Sequence, residues 1–261
     1  MILYKYVDLE AALLIIQNAT VKFTKISDLN DPFEVSSLFY ESLDREYGAT
    51  ENHFRKLKIS MSYGVLSLSR AALNPLMWAH YARGKKQPSK KGIRIDQNNE
   101  AHGGMVIGFD TIDAELDCEL SNLIPAKFGS IIYTSTKPTE PFHHSEHDGL
   151  FEGMSYRYEL DLQETLQRVF LYKSQHWAYE EEVRVVRNIL KGDEVQRVNR
   201  SSIKEIYIGA GHFYDKEYLS QLQSIIESNL PDCKIFVCHM KEKSWGIKAV
   251  NIERAVECSG M

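Results

Sequence analysis

Residues 215–229, DKEYLSQLQSIIESN, followed by 234–238, KIFVC, carry the reading that decides the fold class. In the first stretch apolar side chains return at helical spacing between charged and amide ones, so it reads as an amphipathic helix. The second is rich in β-branched and aromatic residues and reads as a strand. Working outward, Ile203 to Ile208 is another strand and Ile247 to Ile252 a last one. At the other end Ile2 to Tyr6 is a short strand, and Asp8 caps a helix with Leu9, Ala12, Leu13 and Ile16 on one face, ended at Asn18. Between these lie further elements. Strands are expected at Thr20 to Thr24, Gly64 to Ser69, Met105 to Phe109, Ser130 to Tyr133 and Tyr179 to Val186, and helices at Tyr40 to Met61, Leu76 to Tyr81 and residues 157–172. The expected class is α+β, with mixed β-sheet flanked by helices. No Pro-, Gly- or Ser-rich linker divides the chain, so residues 1–261 are expected to form a single domain with a polar loop insertion at about 84–104.

A net charge of −5 over 261 residues offers no global attraction to nucleic acid. The one basic stretch, Lys85, Lys86, Lys90, Lys91 and Arg94, sits among glycine, proline and serine and reads as a solvated loop. No apolar run reaches the roughly 18 residues of a membrane helix. The four cysteines show no C-x-x-C pairing, and the first residues show no export signal, so a cytoplasmic protein with reduced thiols is expected.

Three polar constellations stand out. In Trp177-Ala178-Tyr179-Glu180-Glu181-Glu182-Val183-Arg184 a strand would put Glu180, Glu182 and Arg184 on one face. Two readings are open there. Paired carboxylates beside an arginine can divide acid–base and electrostatic work around an anionic substrate, or they can form a solvated edge. Asn30-Asp31-Pro32-Phe33-Glu34 is a turn that either aims Asp31 and Glu34 into a cleft or merely caps a loop. Ser67-Leu68-Ser69, followed by Met77-Trp78-Ala79-His80-Tyr81, gathers hydroxyls, an indole, an imidazole and a phenol, with core packing of Trp78 and a satisfied His80 as the plainer reading. His143, His144 and His147 have metal-ligand chemistry without a second ligand pair, and no metal is expected there. Phosphate-loop, dinucleotide and serine-elbow signatures are missing.

Taken in order, Leu3 to Tyr6, Asn30 to Glu34, Leu66 to Ser69, Met77 to Tyr81, Val106 to Asp110, and Lys173 with Trp177, Glu180, Glu182 and Arg184 resemble a bacterial family known as domain of unknown function 2971. A more distant resemblance is to ADP-ribosyltransferases, whose pattern is a basic residue on a first strand, a serine-threonine-serine strand and a later E-x-E strand. Lys5, Ser67-Leu68-Ser69 and Glu180-Glu181-Glu182 stand in that order, although Lys5 replaces arginine or histidine and Leu68 the threonine. The second resemblance implies a split sheet and NAD as substrate. It implies Glu182 as the catalytic carboxylate, Glu180 orienting the acceptor, Ser67 on the ribose, Lys5 facing the pyrophosphate, and Trp78 or Tyr81 on nicotinamide. Ser69, His80 and Arg184 complete the expected nucleotide site, and the macromolecular acceptor is left open. Two alternatives stand beside it. One is a magnesium- or manganese-dependent nuclease or phosphodiesterase using Asp31, Glu34, Glu180 and Glu182. The other is a non-catalytic ligand-binding or sensor module.

Overall fold

A computed structural model describes residues 1–29, 54, 57–85, 99–138, 160–189, 194–212 and 216–258. The Asn30, Asp31 and Glu34 turn, the His143–His147 loop and most of the basic stretch lie outside these residues, as does much of the helix expected at Tyr40 to Met61. The chain forms two compact units, each assembled from separated segments.

The first unit comprises Met1–Thr20, Leu68–Ala114 and Arg197–Met261. Its sheet runs in the order Ile2–Val7, Met105–Asp110, Ile203–Ile208, Lys234–Met240, Ile247–Asn251. Tyr4 also pairs with Ser69, the last residue of strand Tyr63–Ser69. The sheet is mixed. Ile206 faces Ile107 in an antiparallel pair and Ile235 in a parallel one, and the parallel pair is joined through helix Lys216–Asn229. That helix buries Leu219, Leu222 and Ile226 at positions i, i+3 and i+7, so it forms because one stripe has an apolar surface to cover. Helix Leu9–Asn18 starts where the Asp8 carboxylate accepts from the Ala11 amide at 2.8 Å, and it stops at Ala19 in the left-handed region. Asn74 caps helix Pro75–Tyr81 in the same way, with proline at the first turn, where no amide hydrogen bond is lost. The polar insertion opens and closes as a ribbon in which Gly84–Lys85 pairs with Asn99–Glu100.

The second unit comprises Val21–Ser67 and Glu115–Gln196. Thr24–Lys25 pairs antiparallel with strand Tyr63–Ser69, which neighbours Glu182–Asn188, and Ile132–Thr134 pairs in parallel with Tyr172–Ser174. Its apolar core gathers Ile59, Tyr63, Val65, Ile124, Phe170 and Val186.

The α+β class with mixed sheet is therefore observed, and several boundaries differ from the sequence reading. Phe23 is left out of the strands, so Thr20 to Thr24 breaks into Thr20–Lys22 and Thr24–Lys25. The Ser130 strand begins at Ile132. The helix read to residue 172 runs as α-helix Leu160–Leu166, widens into a π-helical turn at Gln167–Leu171, and gives way to a strand at Tyr172. The last correction bears on the site: Tyr179 and Glu180 belong to a 3-10 helix, Gln175–Glu180, and the strand starts only at Glu182.

Candidate functional site

The site lies in the second unit and starts from a backbone turn. Glu181 has φ 45°, a left-handed conformation that costs a non-glycine residue on the order of 1–3 kcal/mol. This turn ends the 3-10 helix and launches the strand, so Glu180 and Glu182 both point inward while Glu181 is exposed. Glu182 and Arg184 share a strand face by their i, i+2 spacing. Glu180 joins them from the helix end and not from the strand.

The charges are buried rather than edge-exposed, which removes the solvated-edge reading. Lys173 Nζ donates to Glu180 Oε2 at 2.6 Å and to Glu182 Oε2 at 2.9 Å. Arg184 Nε donates to Glu182 Oε1 at 2.9 Å, and its terminal nitrogens reach Glu182 Oε2 at 3.3 Å and the Phe170 carbonyl at 2.7 Å. Ser67 donates its hydroxyl to the Glu182 carboxylate. Among the described residues two carboxylates and two cations thus meet in a largely buried space, and such pairing is the condition under which buried ions are tolerated.

Protonation follows from this geometry. Burial alone would raise the pKa of Glu182, but Arg184 and Lys173, with hydrogen bonds from Arg184 and Ser67, more than offset it and lower the carboxyl to about 2. Burial and Arg184 work against the Lys173 ammonium, yet the two carboxylates keep its pKa above that of an ordinary lysine. The Tyr133 hydroxyl accepts the Glu182 amide at 2.8 Å, and burial, reinforced by both glutamates, pushes that phenol upward so that it stays protonated.

The frame around the cluster is tight. Arg184 donates its amide to the Gly129 carbonyl at 2.8 Å, and a Cβ at Gly129 would lie 1.8 Å from the Arg184 carbonyl oxygen, so only glycine allows this approach. Ile131 in turn donates its amide to the Glu182 carbonyl. Lys173 Nζ also lies 5.2 Å from the centre of the Trp177 ring, a cation–π contact.

Of the residues singled out in the sequence, the structure brings together Ser67, Glu180, Glu182 and Arg184. Lys173 was noted only within a family resemblance, and its central role between two glutamates had no local signal. Tyr133 was not singled out at all. Lys5, Ser69, Trp78, His80 and Tyr81 lie in the first unit. There Trp78 is fully buried, donates its indole N–H to the Ala72 carbonyl at 2.9 Å, meets Tyr6 edge-on and stacks with His102. Ser69 is spent on a local turn with Ala71, Lys5 is half-buried opposite Ile107, and His80 is exposed beside a half-buried Tyr81. Among the described residues no group of three or more His, Cys, Asp or Glu side chains is arranged to hold a metal ion, and no helix is long and apolar enough to cross a membrane.

Fold and site define an α+β protein with a buried Lys–Glu–Glu–Arg cluster beneath a serine-bearing strand. A family model described as a protein of unknown function (DUF2971) matches residues 77–185, which bears out that resemblance over this stretch. The match includes Lys173, Glu180, Glu182 and Arg184 and leaves Lys5, Asn30 to Glu34 and Ser67 outside it. No curated protein and no solved structure matches the chain.

Proposed function

We propose that this chain is an NAD-using enzyme of the ADP-ribosyltransferase type, which transfers ADP-ribose to an acceptor with Glu182 as its central carboxylate. One observation carries the reading: Ser67 hydrogen-bonds Glu182, so the serine strand and the E-x-E segment, far apart in sequence, meet at one carboxylate. An ionised, preorganised carboxylate is what the reaction requires, because positive charge develops on the ribose as the bond from its anomeric carbon to the nicotinamide nitrogen breaks and the electron pair leaves with nicotinamide. Ser67 donates to Glu182 and retains lone pairs to accept from a ribose hydroxyl. Glu180, held through Lys173, orients the acceptor that attacks the same carbon and releases its proton to solvent. The unpaired cysteines Cys118, Cys233 and Cys238 support a reducing, cytoplasmic setting in this reading. The partners are then a dinucleotide and an acceptor.

The test is nicotinamide release measured chromatographically. Glu182→Gln is expected to lower it by about 10²–10³-fold with the circular dichroism spectrum unchanged. Equal release by that variant rejects the role of Glu182, and failure of wild type to bind NAD in calorimetry rejects the reading as a whole.

A second reading has its own supporting observation, the saturation of both Glu182 oxygens by protein donors. On that reading the cluster only fixes the unit's interior and the chain is a binding or sensor module, so Glu182→Gln lowers stability and no NAD turnover exists to lose. The geometry does not favour the metal-dependent hydrolase, since Lys173 and Arg184 occupy the oxygens a divalent ion would need.

A further inference from the structure

We propose that the hairpin tip at residues 241–246, led by Trp245, docks this chain on the headgroup surface of an anionic phospholipid bilayer. The inference goes beyond the NAD reading and does not rest on it, since the tip belongs to the first unit.

The last two strands build the tip. Lys234–Met240 and Ile247–Asn251 pair antiparallel with Met240 opposite Ile247, and the Lys241 amide donates to the Gly246 carbonyl at 2.9 Å, so a backbone hydrogen bond closes the loop. Ile247 is buried and anchors the base. A Cβ at Gly246 would lie 3.3 Å from Lys241 Cδ, so the lysine stem rests along the glycine backbone. Turn positions favour small residues and short polar ones, and Ser244 and Gly246 follow that rule. Trp245, between them, does not: it is 100% exposed, and Met240 at the base of the hairpin is 51% exposed.

One exposed apolar side chain needs no explanation. Here the ring is accompanied by charge. Lys241, Lys243 and Lys248 are all exposed, and Glu242 is the single acid in that stretch. Lys22, Lys25, Lys127 and Lys204 each pair with a carboxylate, whereas among the described residues the three lysines of the tip have none.

Shape and charge together select the partner. A protruding tip encloses nothing, so it suits a partner that yields around it. Single-stranded nucleic acid is held by successive aromatic rings along a groove, and this loop has one ring. A bilayer interface needs no matching socket. The indole can sit at headgroup depth with its N–H kept wet, Met240 can follow it, and the lysine stems can lie along the surface with their ammonium groups on lipid phosphates and carboxylates. The chain as a whole carries −5, so attraction to an anionic surface has to come from a local patch such as this one, and salt screens it.

Vesicle binding by the full chain tests this. Wild type is expected to co-sediment with vesicles of equal parts phosphatidylserine and phosphatidylcholine and to ignore vesicles of phosphatidylcholine alone. Its tryptophan emission should shift to the blue with the former, because Trp245 leaves water while Trp78 is already fully buried. Trp245→Ala is expected to abolish the shift and weaken binding at least about tenfold, and Lys241→Gln/Lys243→Gln/Lys248→Gln to weaken it about 10²-fold. Both variants should melt with wild type, since these side chains are exposed. Should the triple variant melt early, Lys243→Gln alone is expected to weaken binding about fivefold. Wild type that ignores the phosphatidylserine vesicles overturns the proposal, as does undiminished binding by Trp245→Ala. Equal binding to both kinds of vesicle overturns the role of the lysines. A blue shift with single-stranded RNA or polyglutamate but not with vesicles overturns the bilayer in favour of a macromolecular partner.

Discussion

Two glutamates on strands, one in each unit, are accommodated by opposite means. Glu182 is buried and held by cations, Lys173 and Arg184, with Ser67 and the Tyr133 phenol completing the surroundings. Glu205, half-buried on the sheet of the first unit, accepts instead from two phenols, Tyr4 at 3.1 Å and Tyr207 at 2.9 Å. Burial, and then the Glu205 charge, push both phenols upward and keep them protonated donors. Tyr207 is further fixed by stacking on Phe236 at 4.9 Å and by an edge contact with Tyr4. The phenol arrangement leaves a negative charge shared with solvent and is stable as built. The cationic arrangement couples four charges, so removing any one changes the others' energies.

The comparison breaks most visibly at Arg184. Arg184→Met leaves Glu182 short of a cation and the Phe170 carbonyl without its donor, and is expected to cost about 3–5 kcal/mol in urea unfolding. A loss below about 1 kcal/mol would mean that the cluster is far better hydrated than its burial indicates.

Acid provides the next test, through linkage. Because Glu182 titrates lower in the folded chain than in the unfolded one, its contribution is fully present above the ordinary glutamate range and is lost as pH falls toward about 2. The stability gap between wild type and Glu182→Gln, followed by urea titration at successive pH values, should narrow over that interval. A constant gap would show that the charge of Glu182 is not what stabilises the cluster.

The smallest effect is expected on the other side of the comparison. Glu205→Gln retains a carbonyl oxygen for the two phenols, so unfolding should shift by only about 0.5–1.5 kcal/mol, with a fall in the Tyr207 pKa visible in a spectrophotometric titration. A loss as large as that of Arg184→Met would erase the distinction between the two sites.

Much of the fold was legible because its signals are local. Asp8 caps a helix, apolar residues in 216–229 return every three or four positions, and the strands of the first unit alternate or run apolar, all within a few residues of chain. The Glu182 and Arg184 pair was legible for the same reason, since strand period alone sets two side chains on one face. Other features were not local. Nothing in the glutamate triplet announces that Glu181 turns left-handed, which takes Glu180 off the strand yet returns it to the same cluster. Ser67, Tyr133 and Lys173 reach Glu182 from three other segments, and Gly129 matters only because the Arg184 backbone crosses it. Periodicity determined the elements and the candidate carboxylates by itself. Tertiary structure alone decided that Glu180 and Glu182 are buried and already paired, because the energy of a charge depends on everything that displaces water around it, and that is assembled from the whole unit.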